Sequence, residues 1–194
     1  LLRRAQIQLK RLEKALLEKS DEFDAVIKMG RTQLQDAVPI RLGQEFHAYA
    51  SAIGRDIRRF DNAKEEIRSL NMGGTAIGTG LNADTTYFHR VVKNMSTITG
   101  EELVQSYDTI DATQNLDSYA MVSGIVKSCA VNLSKMCNDL RLMSSGPRTG
   151  FCEINLPAKQ NGSSIMPGKI NPVIPEVVNQ VAFNIIGNDV TITM

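Results

Sequence analysis

From Leu116 to Met143 an apolar residue falls at every third or fourth position: Leu116, Tyr119, Val122, Val126, Cys129, Leu133, Met136, Leu140 and Met143. This spacing matches the 3.6-residue turn of an α-helix and predicts a single helix from about residue 113 to Ser144. Roughly 30 residues at 1.5 Å each make a rod of ~45 Å, longer than a small single-core domain uses. Ala120, Ile125, Ala130 and Cys137 widen the apolar stripe and charges are sparse, so other subunits are expected to cover the surplus face. Asp111, followed three residues later by Gln114, resembles a capping box for the start of this helix.

The same stepping recurs upstream. Leu2, Ala5, Leu9, Leu12 and Leu16 predict a first helix to about Phe23, with Arg3, Arg4, Lys10, Arg11 and Lys14 off the stripe. Gly30, polar side chains and Pro39 interrupt the pattern, which resumes as Leu42, Phe46, Tyr49, Ile53, Ile57, Phe60, Ile67 and Leu70. A shorter helix is expected from about Asp84 to Thr99, ended by Gly100. With no strand alternation, internal repeat or low-complexity linker, the fold class is all-α, a bundle of long helices with functional loops at their ends. The helical pattern is already running at Leu2 and an apolar segment is still running at Met194. Residues 1–194 are therefore expected to be the central helical domain of a longer polypeptide, incomplete at both ends.

Charge narrows the partners. The 22 Lys and Arg residues nearly balance 21 Asp and Glu, a net +1 over 194 residues, which gives no footprint for nucleic acid or an anionic membrane. No uninterrupted apolar run approaches the ~20 residues of a membrane span, and no charged-then-apolar leader is present, so a soluble chain is expected. Cys129, Cys137 and Cys152 are odd in number and lack the paired spacing of a zinc site, which fits a reducing, cytoplasmic setting with no bound metal.

Two glycine-rich segments invite comparison with phosphate loops. In GSSIMPGKINP, Gly162 to Pro172, five residues separate Gly162 from the Gly168–Lys169 pair and Ile170 follows, whereas a P-loop needs four and then Ser or Thr. GGTAIGTG, from Gly73, follows a helix and lacks the third-glycine spacing of a dinucleotide fingerprint, so it is read as a tight crossing between packed helices. Thr75 and Asn82 beside it are not raised above packing roles.

GSSIMPGKINP nevertheless carries hydroxyls, backbone amides, a lysine and a side-chain amide in one loop, and it resembles the signature loop of the fumarase/aspartase superfamily. KMGRTQLQDAVPIRLGQEF, GGTAIGTGLNA, NDLRLMSSGPR and NQVAFNIIGND extend the resemblance along essentially the whole chain, nearer to aspartate ammonia-lyases than to class II fumarases. The resemblance implies a homotetramer with a twenty-helix core and active sites shared between subunits. It also implies reversible β-elimination of ammonia from L-aspartate to give fumarate, with no metal or organic cofactor in the chemical step. Carried over, Ser163 is the general base, acting as an alkoxide, with amides of the Ile165 to Lys169 loop to stabilise it. Lys169 and Asn171 would hold the carboxylate at the reacting carbon. Thr32 and Gln33 match substrate-contacting positions, and Ser164 and Glu176 are supporting residues. In fumarases the carboxylate matching Glu176 pairs with a histidine where Gln33 stands here.

Plainer readings accompany each assignment. Serines in a glycine-rich loop are often turn residues, Lys169 alone would be a surface charge, Asn171 before Pro172 would cap the next helix, and Glu176 would be a solvated carboxylate at a helix start. His47 and His89 fall outside the motifs and are read as structural or exposed. The superfamily's S-S-N-D-like motif for the second carboxylate is not in this sequence, so the isolated segment is expected to be inactive. The alternatives to an aspartate ammonia-lyase are a class II fumarase acting on L-malate, or a helical oligomerisation core without activity.

Overall fold

The computed structural model describes all residues from Leu1 to Met194. The elements run α1 (Leu2–Glu22), β1 (Ile27–Thr32), β2 (Gln35–Arg41), α2 (Leu42–Glu66), β3 (Ser69–Leu70), α3 (Thr85–Thr99), β4 (Val104–Gln105), α4 (Asp111–Gln114), α5 (Asp117–Met143) and α6 (Val173–Thr193). Helices dominate, as the apolar stepping predicts.

The contacts fix how the four long helices run. Gln6 near the start of α1 donates to the Ile57 carbonyl at 3.2 Å, while Ser20 near its end donates to the Gly43 carbonyl, so α1 and α2 are antiparallel. Tyr49 with Asp139 and Asn132 with Asp56 set α5 antiparallel to α2. Lys127 with Asp189, and Asn138 with Asn179, set α6 antiparallel to α5. The end of α1, the start of α2, the end of α5 and the start of α6 therefore share one end of the bundle.

The core is a seam between α1, α2 and α5. Leu9 and Leu16 of α1 meet Leu42, Phe46, Ala50, Ile53, Ile57 and Phe60 of α2, and Cys129, Met136 and Met143 of α5 complete it. These are the residues that the three-and-four stepping aligns on one stripe of each helix. The second face of α5, expected to meet another subunit, is covered in part by α6 of the same chain, through Ser123, Lys127, Asn138 and Arg141. The outer side of α6 stays open, with Ile174, Val177, Val181, Phe183, Val190 and Ile192 all more than half exposed. The accessible surface is 13349 Å²; a self-contained protein of this mass would expose about 9,100 Å². The excess is what an open row of helices leaves when its outer faces have no cover.

Three local expectations change. Between α1 and α2 lies an antiparallel hairpin rather than irregular chain, with Ile27 opposite Arg41 and Thr32 opposite Gln35. It escapes the alternation test because β2 is exposed at every residue but Ile40, so no apolar face repeats with period two. The second helix stops at Glu66, and Ser69–Leu70 instead pairs in parallel with Val104–Gln105. The long helix starts at Asp117, because residues 111–114 form a separate turn. There Asp108 Oδ1 accepts from the amides of Ile110 and Asp111 at 2.8 and 3.1 Å, and the Asp111 carboxylate accepts from Asn115 instead of capping a helix.

α3 follows expectation: Asp84 accepts from the Tyr87 amide at its start and Gly100 ends it in the left-handed conformation, φ 68°. GGTAIGTG is a tight crossing, but it leads from β3 to α3 and packs on Thr109 and Ile110 rather than between two packed helices. A Cβ on Gly78 would lie 2.4 Å from the Thr109 carbonyl oxygen, and φ there is +88°, so the segment presses backbone against backbone and leaves no cradle for phosphate.

Candidate active site

The antiparallel arrangement places the hairpin and the 144–172 connection at the same end of the bundle, so Thr32, Gln33, Ser163, Ser164, Lys169, Asn171 and Glu176 all belong to that end. No hydrogen bond joins the side chains of Thr32 or Gln33 to those of Ser163, Lys169 or Asn171 within this chain.

Thr32 ends β1 and Gln33 begins the turn to β2. Gln33 and Leu34 have φ of 50° and 65°, both left-handed. A two-residue hairpin turn of type I′ requires this at both central positions, and Asn-Gly normally supplies it. Here side-chain-bearing residues do so, at a backbone cost on the order of 1 kcal/mol each. The turn projects the Gln33 amide outward, exposed.

A cluster of charges holds the base of the hairpin. Lys28 Nζ donates to both Glu45 oxygens at 3.0 and 2.9 Å and lies 3.1 Å from Glu153. Arg31 makes a fork to Glu153, Nη1 to Oε2 at 3.0 Å and Nη2 to Oε1 at 2.6 Å, and its guanidinium stacks 4.0 Å from the centre of the Phe151 ring. The hydrogen bond from Arg31, then those from Lys28, hold the Glu153 carboxyl below its ordinary range against the opposing effect of burial. Glu153 is itself fixed: its amide donates to the Met143 carbonyl at 2.8 Å, and Met143 is in the core.

A cleft of about 340 Å³ opens beside this cluster, lined by Lys28, Arg31, Gln33, Glu45, Tyr49 and Asp139 among others. Burial, reinforced by Asp139, raises the Tyr49 phenol far above its ordinary range, so it stays neutral and donates to Asp139 Oδ2 at 3.0 Å. A second cleft of similar size, at Phe88, His89, Lys93 and Ser96, holds none of the candidate residues.

The Gly162–Asn171 loop is built from two successive turns. The Met166 amide donates to the Ser163 carbonyl and the Lys169 amide to the Met166 carbonyl, each at 3.1 Å. Of the Ile165 to Lys169 amides this leaves two, since Pro167 has none: Gly168 and Ile165, the latter directed at Ser163 Oγ over a long 3.4 Å. Ser163 is half-buried; Ser164, Lys169 and Asn171 are exposed. Pro172 stands at the N-cap of α6 and no side chain caps that helix, so Asn171 is not spent on capping. Glu176 accepts from Arg141 at 2.8 Å and ties the first turn of α6 to the last turn of α5. His47 and His89 are exposed, and Cys129, Cys137 and Cys152 are free thiols.

Lys28, Arg31, Glu45 and Glu153 have no task in the sequence motifs. No spacing signal links Arg31 to a partner 122 positions away.

The comparisons with known proteins are consistent in direction. A family model described as lyase matches residues 3–187. The aspartate ammonia-lyase of Bacillus subtilis (strain 168) is 58% identical over 177 residues, 91% of this chain and 37% of that protein. The cobalt-bound fumarate lyase:delta crystallin of Brucella melitensis superposes with a TM-score of 0.93 at 52% identity, over 98% of this chain and 42% of that one. The recombinant class II fumarase of Schistosoma mansoni superposes with a TM-score of 0.92 at 34% identity, over 97% of this chain and 43% of that one. This chain thus spans about two fifths of the length of the relatives it matches. No helix is long and apolar enough to cross a membrane. A match over nearly every residue, together with loops that resemble those of the fumarase/aspartase superfamily, places the chain in the lyase family.

Proposed function

We propose that this chain is the central helical part of an aspartate ammonia-lyase, which converts L-aspartate reversibly to fumarate and ammonia. The observation that carries this reading is the 58% identity to an enzyme of that name across nine tenths of the chain, against 34% to a class II fumarase. In the forward direction Ser163 removes a proton from C3, the electron pair moves first into the adjacent carboxylate and then into the new double bond, and ammonia leaves from C2. A proton beside a carboxylate is very weakly acidic, so the step needs a strong base and countercharge for the doubly charged intermediate.

The loop offers groups suited to both needs. The Ile165 amide directed at Ser163 Oγ has the sense of hydrogen bond that would favour an alkoxide, and the Lys169 ammonium and Asn171 amide would hold the carboxylate that gains charge. Thr32 and Gln33 would contact substrate from the hairpin, with Ser164 and Glu176 in support. Because no hydrogen bond joins the hairpin's candidate side chains to those of the loop within one chain, the reading includes a homotetramer in which sites are completed between subunits; the open apolar side of α6 supports such association. The compartment proposed is the cytoplasm, and no cofactor is invoked.

The test is to prepare the complete polypeptide and follow fumarate by its ultraviolet absorbance, first from L-aspartate and then from L-malate. Rapid deamination with slow dehydration supports the reading. Comparable turnover of L-malate would replace it with a class II fumarase, and turnover of neither would leave a helical assembly core. The 194-residue segment alone should show little or no lyase activity.

A further inference from the structure

The Lys28–Arg31–Glu45–Glu153 cluster gathers four largely enclosed charges, and its place is informative. Lys28 and Arg31 are 9% and 15% exposed at the side chain, and Glu153 is 15% exposed. Arg31 immediately precedes Thr32 and Gln33. Glu153 lies in the connection that leads to Ser163, with its amide on the Met143 carbonyl and its neighbour Ile154 packed on the core. A rigid path therefore runs from the core through Met143 and Glu153 to Arg31 and then to the exposed turn. β2 half-buries only Ile40 and so adds little anchorage to that turn.

We propose that Glu153 is a positioning residue: by holding Arg31 in a two-pronged pair and Lys28 beside it, it sets where Thr32 and Gln33 stand when substrate is bound. The inference rests on the reading of Thr32 and Gln33 as substrate contacts. Glu153 itself does no chemistry. A fork between planar groups fixes orientation as well as distance, which a lysine in place of Arg31 would not reproduce. Loss of Glu153 would leave Lys28 paired with Glu45 but Arg31 with only the exposed Asp36 at 4.0 Å, so the hairpin would swing away to hydrate the guanidinium. Groups that hold substrate equally in the ground and transition states affect KM rather than kcat, which gives the role a kinetic signature.

The experiment compares the complete enzyme with its Glu153→Gln, Arg31→Gln and doubly substituted forms. Amide exchange over residues 27–41 should quicken at least tenfold in Glu153→Gln, with α2 from Phe46 to Phe60 unchanged. KM for L-aspartate should rise on the order of tenfold while kcat stays within about threefold, and the double variant should be no worse than either single one, because both break the same link. Unaltered exchange in the hairpin would overturn the proposal. So would faster exchange with unchanged KM, or a fall in kcat with unchanged KM. If Glu153→Gln does not fold, Arg31→Lys, which keeps the charge and loses the fork, must show an intermediate rise in KM; a wild-type KM would overturn the role. Failure of the unmodified enzyme on L-aspartate would count against the substrate reading alone: exchange still reads the link, and the KM split is then measured with L-malate.

Discussion

Asn132 offers its side-chain amide to both oxygens of Asp56, at 3.0 and 2.8 Å, across the α2–α5 seam, and Asp56 is wholly buried. Arg59 supplies the countercharge at 2.7 Å from one turn further along α2. A buried carboxylate tolerates its position only while its lone pairs are occupied. Asn132→Leu should therefore destabilise the protein by about 2–3 kcal/mol, the scale of hydrogen bonds to a charged group. Denaturant titration checks it, and a loss below about 0.5 kcal/mol would show that Arg59 alone satisfies Asp56.

Gly162 has a different kind of constraint. The Lys169 carbonyl oxygen lies 1.7 Å from where a Cβ on residue 162 would stand, so the two ends of the loop meet backbone to backbone. Gly162→Ala must open the loop and separate Ser163 from Lys169. Activity should fall at least a hundredfold while the melting temperature moves by only a few degrees, since the loop contributes nothing to the α1–α2–α5 core. Retained activity would mean that the loop's closed shape is not the working one.

Ser163→Ala should lower kcat by orders of magnitude with a modest change in KM, because a base acts mainly on the transition state. Lys169→Met should damage both constants, since its charge would meet the carboxylate before and during reaction. Steady-state kinetics separates the two patterns. Near-normal turnover in Ser163→Ala would pass the base role to Ser164 or another group.

Gln33 cannot titrate, whereas expelling hydroxide from malate needs a proton delivered to the leaving oxygen; the ammonium of aspartate leaves without one. Gln33→His should leave deamination working, within about tenfold, and should not create an efficient fumarase. Parallel assays on L-aspartate and L-malate check this, and a large gain on malate would make this single position the determinant of the leaving group.

The Glu153 carboxyl is held below its ordinary range in the folded protein, chiefly by Arg31. A group depressed on folding adds stability above its unfolded pKa, about 4.3, and loses that contribution as pH falls through the folded value. Melting temperatures of the unmodified protein and of Glu153→Gln should thus differ most above about pH 5 and converge on acidification. A gap that widens toward low pH would contradict the pairing.

The long helices were legible because each buries one stripe, and Leu9, Ile53 and Met136 appear in the core where their spacing puts them. The hairpin was hidden for the opposite reason: β2 buries almost nothing, and its turn uses Gln33 and Leu34 where Asn and Gly would have announced it. Asp111 misled because the Gln114 amide it would cap donates to the Ile110 carbonyl, and its own amide goes to Asp108. In the site, the Ser163 loop was conspicuous as a contiguous string of chemistry. The Arg31–Glu153 fork was not, since pairing between distant segments leaves no periodic trace and shows itself only when α5 has brought Glu153 back to the hairpin.

The strained turn also bears on engineering. Anyone seeking a hardier form of this protein would find two left-handed side-chain-bearing residues next to each other and replace both with the usual turn formers. The two are not equivalent. Leu34→Gly relaxes the backbone and removes an apolar side chain that is 65% exposed, whereas the same relaxation at Gln33 deletes the amide proposed to contact substrate. On the proposed reading, one half of the turn is open to improvement, and the other half trades stability for a substrate contact.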